Sequence, residues 1–362
     1  MVARLKLYNK RMLLEGIFAA VTTPLYSDER VYYRKLEANV ARYSRSLLSG
    51  MAVLGSTGEA VALDDAEALE VLRVAAAAAA PEKVLLAGVG RESVKATVEL
   101  AEAAARFRYD AILVRPPSYY RSQLTPTALR NYFQSVADRS PLPVVLYNHP
   151  ACVSVQIPVE VIAELAQHPG IIAIKESGGD MSRMREIIAT TQNAPRRTVT
   201  VTPIFEAVTG RMLTSRAAES ASFVSAGDLA GGAALATAPP PVPLKTRTRE
   251  VGFQTLVGSA TCVLDALDAG ATGAILALAA CAPQACHEIY QAWKDHDPKL
   301  ALEKQQRIAG PAQRIVGGMG IGGVKYACDF NGYYGGRPRS PLLPVTAGEK
   351  TEIENLLAEI RN

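Results

Sequence analysis

Short apolar runs alternate with helical patterns through most of this chain, and this alternation limits the possible folds more than any other feature. Strands that alternate with helices form a parallel sheet covered by helices. Eight runs are predicted to be strands, which is enough to close the sheet on itself. Their approximate bounds are Ile17–Pro24, Met51–Gly55, Val84–Gly88, Ala111–Arg115, Val144–Asn148, Ile171–Lys175, Phe253–Val257 and Gly273–Ala277. We therefore predict an α/β protein with the (β/α)8 fold, a TIM barrel.

Two parts of the chain do not follow this repeat. The barrel is predicted over residues 16–282, and purely helical patterns predict a C-terminal helical region at 283–362. An insertion at about 194–250 precedes the seventh strand and is longer than the connections that α/β folds normally use. Its Ala- and Pro-rich part, Gly231–Pro243, indicates mobile backbone or packing against a subunit surface, at the barrel end opposite the chemistry. A retained intervening sequence in the gene would look the same.

Composition and charge exclude several classes of protein. The formal net charge of +4 comes from 39 basic and 35 acidic residues spread along the chain, so no nucleic-acid partner is implied. The five cysteines and four histidines have no metal-ligand spacing, so we predict reduced thiols and no metal. Gly318–Gly323 matches a dinucleotide-binding pattern, but no βαβ unit follows it. We interpret these glycines as a structural turn and predict no cofactor.

The first residues are basic and polar and are not followed by a long apolar run. This pattern indicates neither a secretory signal nor a membrane anchor, so we expect a cytoplasmic protein without a membrane partner. Four basic residues leave mitochondrial import open as an alternative, although the stretch is short and poor in serine. They are Arg4, Lys6, Lys10 and Arg11.

Lys175 carries the strongest chemical implication in the sequence. It ends the apolar run Ile171–Lys175, where a strand of a sheltered sheet is expected. Burial disfavours the ammonium form and lowers the pKa of a lysine, which yields a nucleophilic amine able to form a Schiff base with a ketone. The alternative is a strand that ends in a charged side chain reaching solvent. The neighbouring strand ends favour the first interpretation.

The segment Gly55–Glu59, of sequence Gly-Ser-Thr-Gly-Glu, follows the second predicted strand. It is predicted to open a helix whose free backbone N–H groups can bind a carboxylate. The alternative is an ordinary capping box, with Ser56 or Thr57 as the cap and Glu59 closing the box.

Tyr147 ends the fifth predicted strand, next to the strand that contains Lys175. A phenol and an amine at one rim of the barrel can transfer protons at a carbinolamine. The alternative for Tyr147 is an aromatic side chain that packs under a loop. His149 is followed by Pro150 and falls in a predicted loop, so we interpret it as structural.

Together these segments resemble the dihydrodipicolinate synthase and N-acetylneuraminate lyase family of class I aldolases. The resemblance covers about Gly16–Gly336 apart from the insertion. It rests on Gly55–Glu59, Tyr119-Tyr120, Tyr147-Asn148-His149-Pro150 and Ile174-Lys175-Glu176-Ser177, in this order and spacing. Three further segments are most similar to the 4-hydroxy-2-oxoglutarate aldolase branch, namely Ser177–Asp180, Val257–Ala260 and Gly332–Gly336.

The resemblance implies a role for each site residue. Lys175 would form the Schiff base with C2 of pyruvate or another 2-oxo acid, and Tyr147 would transfer protons. Ser56 and Tyr120 would complete a hydroxyl relay, with Tyr120 supplied by a neighbouring subunit of a homo-oligomer, a dimer or tetramer. The carboxylate of pyruvate would be held by Thr57 and its loop. The pocket would be lined by Gly258 and Ser177.

One position departs from the synthase pattern. Synthases continue the Tyr-Asn-x-Pro segment into an arginine that binds the carboxylate of the second substrate, whereas this chain has Cys152 there. A thiol cannot replace a guanidinium fork. The resemblance therefore favours cleavage of 4-hydroxy-2-oxoglutarate to pyruvate and glyoxylate. Condensation of pyruvate with aspartate semialdehyde is one alternative, and a catalytically silent homologue that binds 2-oxo acids is another.

Overall fold

Eight parallel strands close into a barrel in the computed structural model, which describes residues 12–214 and 244–360. Around the barrel the strands follow the order β1, β10, β9, β6, β5, β4, β3, β2. Their bounds are β1 Gly16–Ala20, β2 Gly50–Val53, β3 Val84–Gly88, β4 Ala111–Val114, β5 Val144–Asn148, β6 Ile171–Glu176, β9 Gln254–Val257 and β10 Gly273–Leu276. The predicted TIM barrel is therefore confirmed.

The predicted strand bounds agree with the structure to within two residues except at the end of β1. The largest difference is at β1, which ends at Ala20 rather than at Pro24. The chain leaves the strand because Thr23 turns to donate its hydroxyl to the carbonyl oxygen of Gly58, at 2.7 Å. Proline also lacks the N–H group that a sheet ladder needs. This early end brings the segment after β1 against the loop after β2.

Helices follow the strands and cover the outside of the barrel. Their bounds are α1 Tyr33–Ser44, α2 Asp65–Ala78, α3 Val94–Arg106, α4 Pro126–Arg139, α5 Pro150–Val153, α6 Val159–Leu165, α7 Met181–Thr191, α8 Val263–Asp268, α9 Pro283–Lys294, α10 Pro298–Pro311, α11 Gly320–Phe330 and α12 Ala347–Leu357. No helix within the described ranges is long and apolar enough to cross a membrane.

The barrel interior is a packed core, as this fold requires. Phe18, Leu86, Leu113 and Ile172 point inward from different strands and are fully buried. Tyr147 belongs to the same cluster. Core packing therefore fixes the position of the Tyr147 ring independently of its hydrogen bonds.

The C-terminal region adds helices to the carboxyl ends of the strands. A π-helical segment, Ala312–Gly318, joins α10 to α11. The glycines at Gly318–Gly323 were predicted to form a turn, but they lead from this segment into α11. Only Gly320 among them has a left-handed backbone, with φ of +61°, and it marks the break between the two helical segments. A Cβ at Gly323 would lie 2.8 Å from the carbonyl oxygen of Ile315, so glycine permits this close packing.

The described part of the insertion forms a two-stranded antiparallel sheet of β7 (Arg197–Val201) and β8 (Arg247–Val251). Val199, Val201 and Val251 pack against Leu13, which precedes β1. These contacts bury one apolar face of the small sheet. The described part of the insertion is thus a folded sheet on its own barrel, whereas the composition predicts mobile backbone or packing against a subunit surface.

Polar contacts fix the insertion to the amino ends of the barrel strands. The guanidinium of Arg211 lies 3.2 Å from the carboxylate of Asp110, immediately before β4. Arg197 donates to the carbonyl oxygen of Ile171, the first residue of β6, at 2.7 Å. The described part of the insertion therefore lies at the end opposite the carboxyl ends of the strands, as predicted. The Ala- and Pro-rich stretch Gly231–Pro243 lies outside the described residues, as does the basic stretch before Met12.

Candidate active site

A pocket of about 480 Å³ opens at the carboxyl ends of the barrel strands. Its walls come from the segments after β2, β5, β6 and β9 and from the C-terminal helices. The pocket brings together every predicted site residue except Tyr120, namely Ser56, Thr57, Tyr147, Lys175, Ser177 and Gly258. The site therefore lies at the end where this fold places its chemistry.

Lys175 lies on β6 directly opposite Tyr147 on β5 and is 4% exposed. Its Nζ is 4.3 Å from the centre of the Tyr147 ring. Within the described ranges, no carboxylate forms an ion pair with this ammonium group. Burial lowers the pKa of Lys175 to about 7, and Cys152 opposes this shift slightly. The amine is thus a neutral nucleophile in a large fraction of molecules at neutral pH.

The hydroxyl of Tyr147 has two side-chain partners. It lies 3.2 Å from Oγ of Ser56 and 3.0 Å from Nδ1 of His149. Burial raises the pKa of Tyr147, while the hydrogen bond with Ser56 lowers it. The phenol therefore stays protonated around neutral pH and can both donate and accept a hydrogen bond.

The loop Gly55–Glu59 does not open an α-helix as predicted. Ser56–Gly58 form a single 3-10 turn, and the next helix begins only at Asp65. The alternative for this loop, a capping box closed by Glu59, is not formed either, because the capping box of the next helix consists of Asp64 and Glu67. The first N–H groups of a helical turn have no partner inside it. Ser56 and Thr57 line the pocket, and their N–H groups therefore belong to a single turn without the field of a long helix.

Ser177 and Gly258 are matched to each other in shape. The backbone N–H of Gly258 donates to the carbonyl oxygen of Glu176 at 2.7 Å, which holds the end of β9 against the end of β6. A Cβ at position 258 would lie 1.8 Å from Oγ of Ser177. Only glycine at this position leaves the Ser177 hydroxyl in its place on the pocket wall.

Glu176, which follows the lysine, is fully buried and organises the backbone around it. Its carboxylate accepts both hydrogen bonds from the Asn148 amide, at 2.9 and 3.0 Å, and one from the N–H of Gly178 at 2.8 Å. The guanidinium of Arg183 lies 3.2 Å away. Because this network joins the ends of β5 and β6, it fixes Tyr147 and Lys175 relative to each other.

His149 lines the pocket, whereas the sequence suggested a structural role. Burial and the neighbouring Lys175 lower the pKa of His149 to about 4, so its ring is neutral at neutral pH. Its Nε2 lies 3.6 Å from Sγ of Cys152. Residues two apart on a strand point to the same side. The spacing from Tyr147 was therefore a signal that His149 faces the site.

Lys325 is a second buried lysine, and it supports the site from the C-terminal region. Its ammonium group, fully buried on α11, donates to the Glu59 carboxylate and to the carbonyl oxygen of Arg337 at 2.7 Å. The N–H of Arg339 donates to the other Glu59 oxygen at 2.7 Å. The neighbouring Val324 lines the pocket. The predicted helical appendage is therefore part of the active-site wall.

Tyr120 lies outside the pocket of its own chain. It is 65% exposed and packs edge to face against Tyr119, which is 79% exposed. The carboxylate of Glu92 holds the segment in place by accepting from the N–H groups of Ser118 and Tyr119, at 2.8 and 3.0 Å. The role of Tyr120 in the site of a neighbouring subunit stays a prediction.

A barrel with a buried lysine and a buried phenol at the carboxyl ends of its strands fits an aldolase or lyase. The model of the dihydrodipicolinate synthetase family matches residues 13–196 and 243–360. The chain belongs to the dihydrodipicolinate synthetase family and is an aldolase or lyase. The matched ranges leave out residues 197–242, which fall within the predicted insertion.

The names of similar proteins refer to different substrates. The chain is 28% identical over 351 residues to L-threo-3-deoxy-hexylosonate aldolase of Hypocrea jecorina, covering 95% of each chain. It is 26% identical to a probable mitochondrial 4-hydroxy-2-oxoglutarate aldolase of Emericella nidulans, covering 96% of each. The crystal structure of YagE, a family member from Escherichia coli K12 in complex with pyruvate, superposes with a TM-score of 0.75 at 23% identity, covering 96% of this chain and 99% of that one.

Proposed function

We propose that the protein is a Schiff-base aldolase that cleaves 4-hydroxy-2-oxoglutarate to pyruvate and glyoxylate. The observation that carries the proposal is Lys175, a buried amine without a carboxylate partner among the described residues and with its pKa lowered to about 7. Structural use of a buried lysine calls for an ion pair, as Lys325 shows. An isolated lysine beside a phenol suits nucleophilic catalysis instead.

The chemistry begins when the neutral amine of Lys175 attacks C2 of the 2-oxo acid to give a carbinolamine. Tyr147 donates a proton to the carbinolamine oxygen, which leaves as water and gives the iminium ion. Removal of the proton from the C4 hydroxyl then breaks the C3–C4 bond, releasing glyoxylate and leaving an enamine on Lys175. Protonation at C3 and addition of water release pyruvate. Thr57 and the N–H groups of its loop hold the carboxylate throughout.

The substrate choice rests on the position of Cys152. Synthases carry there the arginine that binds the carboxylate of aspartate semialdehyde, and no other guanidinium is among the described residues that line the pocket. The 4-hydroxy-2-oxoglutarate aldolase branch, which this chain resembles, lacks that arginine as well. The name of the Emericella relative also supports 4-hydroxy-2-oxoglutarate, and the YagE complex supports pyruvate as the retained product.

A second candidate substrate is a longer hydroxylated 2-oxo acid of the kind that the Hypocrea relative's name describes. The hydroxyls of Ser259 and Thr261 lie 2.8 Å apart on the pocket wall, and the Gln313 side chain is also there. These neutral groups suit the hydroxyls of such a substrate.

The test combines trapping with substrate comparison. The purified protein is incubated with pyruvate and borohydride, and peptide mapping is expected to place a stable adduct on Lys175. Pyruvate release from 4-hydroxy-2-oxoglutarate is expected to exceed condensation of pyruvate with aspartate semialdehyde in kcat/KM. The substrate that the Hypocrea relative's name describes, L-threo-3-deoxy-hexylosonate, is measured alongside. Absence of the adduct would favour a silent binding protein, and the reverse ranking would favour the synthase activity.

We further infer a homo-oligomer, a dimer or tetramer, in the cytoplasm or the mitochondrion. Exposed Tyr119 and Tyr120 beside the pocket loops support an interface there, because aromatic side chains are enriched in interfaces. Light scattering of the wild type and of the Tyr119→Ser variant tests this inference. A wild-type monomer would contradict it.

Adduct formation is expected to follow the titration of Lys175. The trapping rate at saturating pyruvate should rise with pH, with a midpoint near 7, and then level off, because only the neutral amine attacks. An unperturbed lysine would keep gaining rate up to about pH 10.4. Cyanoborohydride trapping followed by intact mass measures this profile. A rate that still climbs steeply above pH 9 would show that burial does not lower this pKa.

Replacing Tyr147 by phenylalanine is expected to lower kcat by a factor on the order of 10² or more. The ring keeps its packing in the barrel core, but the proton donor to the carbinolamine is lost. Steady-state pyruvate release measures the effect, with circular dichroism as the control for folding. Unchanged turnover would remove Tyr147 from the proton transfer.

A further inference from the structure

We propose that His149 links Tyr147 to solvent, so that protons used at the carbinolamine are replaced along a path within one chain. The path runs from Ser56 through Tyr147 and His149 to Cys152. This inference rests on the proposed Schiff-base function. His149 acts through Tyr147 and is a positioning and relay residue.

The inner part of the path is set by two hydrogen bonds of one hydroxyl. Tyr147 lies 3.2 Å from Ser56 and 3.0 Å from Nδ1 of His149. A phenol has one proton to donate and lone pairs to accept, so it can give a proton on one side and receive one on the other. The Tyr147 and His149 rings are stacked with centroids 5.7 Å apart, which keeps the imidazole in place beside the phenol.

The outer part of the path begins at the other ring nitrogen. Nε2 of His149 lies 3.6 Å from Sγ of Cys152, within hydrogen-bonding range for sulfur. The two residues are also joined by the backbone, since the N–H of Cys152 donates to the carbonyl oxygen of His149 at 3.1 Å. Cys152 is exposed. The Cys152 thiol therefore lies between the His149 ring and solvent.

A neutral imidazole suits this position because one nitrogen accepts while the other donates. When Tyr147 gives its proton to the carbinolamine oxygen, Nδ1–H of His149 returns one to the phenolate. In the same step Nε2 takes the proton of the Cys152 thiol, which solvent water then replaces, so the ring stays neutral and ends in its other tautomer. The proton given to the carbinolamine oxygen is thus replaced from solvent. The steps run in reverse when Tyr147 must lose a proton.

This path differs from the relay that the family resemblance implies. That relay uses Tyr120 of a neighbouring subunit, whereas Tyr120 of this chain is exposed and away from its own pocket. Cys152 also has a role in the path at the position where synthases carry arginine. One arrangement thereby gives both His149 and Cys152 a role.

The test uses His149→Asn, His149→Phe and Cys152→Ala. Asparagine donates and accepts hydrogen bonds but does not pass a proton from one atom to the other, so it separates relay from packing. Both His149 variants are expected to lose about 10-fold to 100-fold in kcat, with KM and the equilibrium yield of borohydride adduct within twofold of wild type. Cys152→Ala should lose less than His149→Asn, because water can replace the thiol.

A second readout is the exchange of pyruvate methyl protons with D2O, followed by NMR, together with the solvent isotope effect on kcat. Exchange should slow in step with kcat in both His149 variants. His168→Gln, on the outer surface beside Asp138, is the matched control and should keep wild-type values. Thermal unfolding identifies a variant that does not fold. If His149→Phe does not fold, the His149→Asn variant alone tests the relay.

The outcomes separate this inference from the proposed function. If wild type forms no adduct and releases no pyruvate, the proposed function fails. If wild type does both but His149→Asn keeps kcat and exchange within twofold, the relay is overturned. A proportional loss of kcat and adduct yield in the His149 variants would assign His149 to pocket shape and overturn it as well.

Discussion

Replacing Lys175 by methionine is expected to abolish the borohydride adduct and to lower kcat by a factor on the order of 10⁴ or more, since removing a covalent nucleophile has effects of this size. The same change should raise the thermal stability. Lys175 is buried without a carboxylate partner among the described residues, and methionine fills a similar volume without an amine to desolvate.

Because Lys175→Met is expected to lower activity while raising thermal stability, unfolding would not explain the loss of activity. Intact mass after borohydride treatment, steady-state turnover and thermal unfolding measure these effects. Lys294→Met, on the outer helix α9, is a matched control that should keep the adduct and full turnover. An adduct that persists in Lys175→Met would show that another amine reacts with pyruvate.

Replacing Lys325 by methionine is expected to lower the free energy of unfolding by about 3–5 kcal/mol, because it leaves the buried Glu59 carboxylate without its cation. The KM for the 2-oxo acid should also rise, since Glu59 holds the end of the loop that carries Ser56 and Thr57. Denaturant unfolding and substrate kinetics measure the two effects.

The double variant Lys325→Met with Glu59→Gln separates stability from function. Removal of both charges should recover most of the stability, because a neutral buried pair avoids the unpaired charge. The raised KM should persist. Arg211→Met is the matched control, since it breaks a buried pair with Asp110 at the opposite end of the barrel. It should lower stability and leave KM unchanged, and a KM that returns in the double variant would contradict the role of the pair in the loop.

The barrel strands could be predicted from sequence because their signal is local. Buried parallel strands are nearly continuous apolar runs, and the run before Lys175 gave both the strand and the position of the amine. The order of strands then followed from the fold, which placed Tyr147 opposite Lys175. Residues at strand ends could thus be assigned to one rim without any knowledge of side-chain contacts.

Other parts of the site could not be predicted because their determinants are distant in sequence. Glu59 had the spacing of a capping box, but its real partner, Lys325, is 266 residues away. Lys325 lies in the helix Gly320–Phe330, and a lysine is almost never fully buried unless it is paired with a partner that the local sequence does not show. The sequence predicted mobile backbone or packing against a subunit surface for the insertion. Its small sheet could not be predicted, because Val199 and Val251, which cover Leu13, become neighbours only when both strands pair.

The bond between Lys325 and Glu59 can form only late in the synthesis of the chain. Glu59 leaves the ribosome when most of the chain is still to be made, and Lys325 follows 266 residues later. Until α11 emerges, the loop Gly55–Glu59 lacks its contact with Lys325, and Val324 does not close its side of the pocket. A growing chain that already has all its barrel strands still lacks a finished site. The pocket around Lys175 is therefore complete only after α11 has been made.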